Sequence, residues 1–368
     1  MNDEQLYQIA VSLIPAIGVK DLRILLNNVG SAETLFQKEI IKGIPGLASE
    51  AKKALLNGSL LTAAEKELKC MKDNNIKGRF VLDGDYPFRL RECADAPIML
   101  YSRGINDLNA LKVMAVVGTR KATPLGKEST QILLRDLSKN FPDLLIISGL
   151  AYGIDVIAHQ SALRYGLKTV GVMAHGLQEV YPPSHRRIAT EMLQRDGALV
   201  SEYPWGVPSK PYRFRERNRI IAGMSDACIV MESSLNGGSM ITAGFARDYN
   251  RDVLAFPGRS LDMFSSGCND LIKQRSGALI ETADDVIKEM NWASPIKRKN
   301  VQQTLFSELP VEQKIVLDLL KVGEIMTAND LSIHTNLKIN EVLIHLLELE
   351  MLGLSESLPG GCYRRKIE

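Results

Sequence analysis

The chain has 368 residues, 45% of them hydrophobic and 24% charged, with a formal net charge of only +2. Such a length and composition predict a globular protein of two or three domains, and nucleic-acid binding would need a local concentration of positive charge. No apolar run approaches the ~20 residues of a membrane span, and the start MNDEQLYQIA lacks a secretory pattern, which points to the cytoplasm.

The five cysteines are scattered, with no C-x-x-C pair, and the five histidines lack ligand spacing. Reduced thiols are expected, with no disulfide framework and no metal site.

Residues 1–75 have helical periodicity and two short apolar-glycine turns, Ile14-Pro15-Ala16-Ile17-Gly18 and Gly43-Ile44-Pro45-Gly46-Leu47. Helical runs follow at 19–26 and 48–56. The pattern resembles paired helix-hairpin-helix units, whose backbone N–H groups can hold a phosphate. It equally describes two turns that pack a small bundle, and both readings stand at this point.

A strand pattern begins at 76, and the turn cluster Asp83-Gly84-Asp85-Tyr86-Pro87 follows it. From residue 112 apolar runs of strand length recur at 113–117, 144–147, 169–173, 198–200, 227–231 and 253–256. Amphipathic segments such as 127–139 and 154–165 separate them. This alternation predicts a Rossmann-like α/β core at 76–290, with a parallel sheet covered on both faces and ligands at the strands' carboxyl ends. Residues 291–310 read as a linker with a basic run at Lys297-Arg298-Lys299. In 311–368, helical stretches at 311–321, 328–334 and 339–352 precede a glycine-containing return at 355–364, the order of a winged helix.

Several predicted strand ends carry turns suited to anions. Gly118-Thr119-Arg120-Lys121 follows the first long strand, where a glycine lets backbone approach a phosphate and the cations add charge. Ser148-Gly149-Leu150-Ala151-Tyr152-Gly153 follows the second, with Asp155 and His159 one turn apart on the next helix. That pair reads either as acid and base or, preferably, as a hydrogen bond that fixes the helix. Gly237-Gly238-Ser239 opens a helix after a later strand. Neither a dinucleotide fingerprint nor a P-loop is present, so no nucleotide cofactor is expected. The strongest local signal is Lys210-Pro211-Tyr212-Arg213-Phe214-Arg215-Glu216-Arg217-Asn218-Arg219. Its interleaved cations and rings suit a single-stranded nucleic acid; a solvated helix start is the plainer alternative.

The ordered set Gly118-Thr119-Arg120, Ser148-Gly149-x-Ala151-x-Gly153-Ile154-Asp155, Arg217-Asn218-Arg219 and Gly238-Ser239-x-x-Thr242-Ala243 resembles the DprA/Smf DNA-processing protein family. Pro257-Gly258 and Gly267-x-Asn269 continue the likeness over about 200 residues. The resemblance implies a Rossmann-like core between a SAM-like or helix-hairpin-helix N-terminal domain and a C-terminal winged helix. It further implies single-stranded DNA binding during natural transformation, protection of that DNA, loading of the RecA recombinase, and a homodimer formed through the core. By position, Arg120 and Lys168 match basic residues of the family's DNA pocket, and Gly149, Arg217, Asn218 and Ser239 its lining. Gly118, Thr119, Lys121, Ser148, Arg215, Arg219 and Gly238 complete the expected DNA-binding set. The family often has Ser-Gly-Ser where this chain has Gly237-Gly238-Ser239.

Two other readings are weighed against this one. Phosphoribohydrolases of a related fold carry G-G-x-G-T-x-x-E. Here Met240 replaces a required glycine and no glutamate follows Thr242 before Arg247, which leaves Glu232 as a weak substitute. A scaffold acting through the winged helix is the third. Its last helix bears Glu341, Glu348 and Glu350 against Lys338 and His345, which disfavours duplex DNA, although Arg364, Arg365 and Lys366 could touch a phosphate.

Overall fold

A computed structural model describes residues 3–15, 17–43, 49–104, 107–292, 309–320, 325–358 and 361–365. Packing divides the chain into two compact units, 1–295 and 296–368.

The first unit holds a nine-stranded sheet: β1 (Lys77–Phe80), β2 (Met99–Gly104), β3 (Val113–Val117), β4 (Leu145–Ser148), β5 (Thr169–Val172), β6 (Ala198–Ser201), β7 (Ala227–Val230), β8 (Asp252–Ala255) and β9 (Ala278–Leu279). Its spatial order is β1-β2-β6-β5-β4-β3-β7-β8-β9. From β6 to β9 all neighbours are parallel, while β1 and β2 add an antiparallel edge at β6. All six long strand runs expected from periodicity are present. The sequence reading missed β2, whose apolar start Met99-Leu100-Tyr101 gives way to the polar Ser102-Arg103-Gly104, and β9, whose two residues carry no period.

Strand order reverses direction between β3 and β7, so the turns after these two strands open a crevice at the carboxyl rim. The strands are buried on both faces because period-2 alternation supplies two cores. Met114, Val116, Ile146, Ile229 and Leu254 face helices Pro124–Asn140 and Ile154–Arg164. On the other face Val113, Ala115, Ile147 and Val172 join a core that continues without a break into the N-terminal helices through Leu100, Ile9 and Leu22. Two polar ties reinforce this unit. The buried Arg89 is paired with Asp226 at 2.6 Å, and the Glu67 carboxylate accepts the Trp205 N–H at 2.9 Å.

In the first hairpin turn the Gly18 N–H already donates to Asp21 Oδ2 at 3.3 Å, and Asp95 and Glu202 line the same cavity. Acidic neighbours and an occupied donor favour the bundle-packing reading of that turn over a phosphate cradle. The second turn lies outside the described residues from Ile44 to Leu47, as does most of the expected linker.

The second unit has helices Val311–Leu319, Ala328–Thr335 and Ile339–Met351, with strands β10 (Ile325–Thr327), β11 (Ser355–Leu358) and β12 (Cys362–Arg365) in the order β10-β12-β11. Val316, Leu331, Val342, Leu346 and Leu349 form its core. This is the winged-helix order expected, with β10 an addition. In the wing Arg364 is ion-paired with Glu356, which occupies it; Lys366 is outside the described residues.

Candidate nucleic-acid interface

The rim at the switch point is built by turns that hold one another. After β3, the Thr119 N–H donates to the Glu232 carbonyl at 2.7 Å, and the Thr119 carbonyl accepts from Ile154 N at 3.1 Å. The β3 turn is therefore laced between those after β4 and β7. Gly118 must be small, since a methyl group there would run into Ile154. Gly153 lies at φ +77°, and a methyl group would collide with the Thr119 carbonyl, so this position needs glycine twice over. Farther along, Gly267 N donates to the Ser233 carbonyl at 2.8 Å, and Asn269 bonds both the N–H and the carbonyl of Gly258.

Beyond this lacing the chain presents cations and rings. Arg120 and Lys121 are exposed, and the Arg120 guanidinium lies 5.6 Å from the centre of the Phe214 ring. Phe214 in turn stands 5.5 Å from the exposed Tyr181. Asn218 follows Phe214 by one helical turn, and its Nδ2 donates to the Gly238 carbonyl at 3.3 Å. Gly238 is exposed and opens an eleven-residue helix that has no side-chain cap. Its first N–H groups and the positive end of the helix dipole are thus open to an anion. Arg215 is also exposed and makes no side-chain bond among the described residues.

Other members of the expected set have internal partners. Arg217 is buried: it donates to the Gly149 carbonyl at 2.7 Å and to the Val172 carbonyl. Burial brings its pKa down to about 10, against the pull of nearby Asp155. Ser148 is fully buried and donates its hydroxyl to the Val116 carbonyl at 2.7 Å; the Ser239 hydroxyl is bonded to that of Ser233 at 2.8 Å. These residues and Gly149 form the floor beneath the rim. Arg219 turns the other way, to Glu202 and the Asp95 carbonyl, because helix periodicity separates it from the Asn218 face. Lys168 immediately precedes β5, at the amino end of a parallel strand, so it stands on the edge of the sheet opposite this rim. The run expected at 169–173 already put Lys168 at a strand's amino end, so the family match by position and the strand direction disagree.

Two further expectations are corrected. The N-terminus of helix Pro124–Asn140 is not open: Glu232 accepts the Thr123 N–H at 2.9 Å and its hydroxyl at 2.5 Å, placing a carboxylate where an anion was expected. The Asp155–His159 pair does not form. Asp155 accepts from the backbone of Ala151 and Gly149, and burial raises its pKa. His159 Nδ1 instead bonds the Thr169 hydroxyl at 2.7 Å, and since that hydroxyl donates to Ile146, the ring must be the donor. Burial pushes the His159 pKa down to about 3, so the imidazole is neutral.

The sequence reading also overlooked part of the rim. The exposed Tyr152 packs 5.0 Å from His185, whose Nδ1–H donates to the Leu150 carbonyl at 2.8 Å. This draws the loop after β5 to the β4 turn and brings Tyr181 with it. Exposed Arg186 and Arg187 follow. The same mixture of rings and cations that marked 210–219 was present at Tyr181–Arg187, diluted by two prolines.

Comparison with known proteins places the chain in a family. The family described as DNA recombination-mediator protein A matches residues 78–291, more than half the chain. The chain belongs to the DprA family. A DprA winged-helix domain matches residues 306–361. Among curated relatives, the DNA processing protein DprA of Streptococcus pneumoniae is 39% identical over 58% of this chain and 73% of its own length. Protein Smf of Escherichia coli is 34% identical over 76% and 75%. The crystal structure of the pneumococcal DprA superposes with a TM-score of 0.64 at 31% identity, covering 78% of this chain and 98% of that one. The Helicobacter pylori DprA, described in terms of its single-stranded DNA binding mode, gives 0.52 at 29% identity over 59% and 95%.

Proposed function

We propose that this chain binds single-stranded DNA along the carboxyl rim of its sheet, and that it does so as a binding protein without catalysis. The carrying observation is the run Arg120, Phe214, Asn218, Gly238: a cation over a ring, on the helix face whose amide reaches an uncapped helix N-terminus. A DNA strand offers phosphates at intervals with flat bases between them. Cations and backbone N–H groups suit the first, and exposed rings suit the second whatever the base. Arg120, Lys121 and Arg215 supply charge, while Gly238 lets backbone come close and Gly118 and Thr119 fix the turn that carries Arg120; Tyr181 and Phe214 supply faces. The single-stranded DNA binding described for the H. pylori relative supports the same reading.

The hydrolase alternative requires a carboxylate free to act beside an anomeric carbon. Glu232, its one candidate, is engaged at Thr123. The family resemblance extends the proposal: protection of incoming DNA, loading of the RecA recombinase during natural transformation, a homodimer through the core, and work in the cytoplasm.

Fluorescence anisotropy of labelled oligo-dT across a salt series, without added nucleotide, is the direct test. Affinity should fall with salt at a slope of about 0.7 per neutralised phosphate. No binding at low salt, with release of base from AMP, would overturn the reading in favour of the hydrolase.

A further inference from the structure

Helix Ile339–Met351 occupies the place in the winged helix that reads duplex DNA in other proteins, yet its outward surface is not basic. Val342, Leu346 and Leu349 point into the core and are fully buried. At 100° per residue the core-facing stripe would fill about a third of the helix, with polar side chains over the remainder. Here a second apolar arc adjoins it: Leu343, Ile344, Leu347 and Met351 are exposed, Leu347 at 59% and Met351 at 82%. Spacings of i, i+1, i+4 and i+8 place these four on one side, and Glu341 and Glu348 border them along the Ile344 edge. Residues 311–368, the winged-helix part of the sequence, carry nine Asp and Glu against six Lys and Arg, a net of −3.

We infer that this arc is a docking surface for a basic amphipathic helix of a partner protein. An apolar ridge of four side chains in a row matches the i, i+3, i+4, i+7 anchors of one helix. The acidic border and the unit's negative charge select a partner with basic flanks and repel both DNA and a second copy of the same domain. The surface lies in a different unit from the proposed DNA rim.

The test uses the full chain and three labelled probes: a 16-residue amphipathic peptide of leucine and lysine, the same apolar pattern with glutamate for lysine, and a scrambled leucine–lysine sequence. The leucine–lysine helix should bind saturably, and the other two at least tenfold more weakly. Leu347→Asp and, separately, Ile344→Lys should each weaken the first probe at least tenfold while leaving oligo-dT affinity and the thermal transition unchanged. Both side chains are solvent-exposed, so folding is not at stake. Binding by either variant as tight as by the unaltered chain, or binding of the glutamate peptide as tight as that of the leucine–lysine helix, would overturn the inference. So would a fall in sedimentation mass on Leu347→Asp, because a second copy would then be the occupant.

Discussion

Arg217 donates to the carbonyl of Gly149 at 2.7 Å from a side chain that is almost wholly buried, so the most cationic stretch of the sequence sends one of its arginines beneath the rim and not over it. The guanidinium joins the β4 turn, the end of β5 and the helix that carries Phe214 and Asn218. Removing it leaves carbonyls unpaired and Asp155 without its countercharge. Arg217→Met should lower unfolding free energy by about 3 kcal/mol, the scale for stripping one partner from a buried charge. Adding Asp155→Asn should restore part of that loss in urea titrations; a purely additive double variant would contradict the coupling.

Arg120 and Lys168 make opposite predictions. Arg120→Ala should weaken oligo-dT of every sequence alike and make the salt slope shallower by about 0.7. Lys168→Ala should change neither, since Lys168 stands at the amino end of β5. Anisotropy of both variants over the same salt series decides; an equal change in slope would place Lys168 on the DNA path.

Glu232 caps helix Pro124–Asn140 through Thr123. Glu232→Ala removes both the carboxylate and its interaction with the helix dipole, at a cost of about 1–2 kcal/mol. Oligo-dT affinity should be retained or should rise, because a negative group leaves the neighbourhood of the rim. Calorimetry and anisotropy on one preparation separate these effects.

His159 gives the fold an acid-sensitive element. Its folded pKa, about 3, lies below the ordinary 6.5, so the unfolded chain binds the proton more readily. Its contribution to stability is present above about pH 6.5 and is lost as pH falls toward 3, with a limiting slope of about 1.4 kcal/mol per pH unit. His159→Gln should remove one proton's worth of that slope. The difference between wild-type and variant urea midpoints from pH 7 to 4 isolates it from the carboxylates, among them Asp155, whose pKa burial raises.

Much of the fold was legible because burial on both faces makes a parallel strand a continuous apolar run. Runs such as 113–117 and 227–231 can hardly be anything else, and β3 spans the expected residues end to end. The winged helix was readable for a related reason: its helices are long enough to show their period. β9 was not, since two residues carry no periodicity. The rim was readable as a theme of glycine turns and cations, but not as an assignment of roles.

By itself, then, the sequence determined that glycine-rich turns follow successive parallel strands, that Arg120 and the 210–219 stretch concentrate positive charge, and that the usual cofactor fingerprints are missing. Only the tertiary structure decided which of those groups are available to a ligand. Arg217 and Arg219 lie two residues apart in one helix, yet one is under the rim and the other on the Glu202 side, while Arg215 is free among the described residues. Glu232, distant in sequence from Thr123, closes one helix N-terminus and leaves that of Gly238 open. A residue type states what chemistry a side chain can do. Helix phase, strand direction and the nearest competing partner determine whether it is free to do it, and those are set by contacts between segments far apart in the chain.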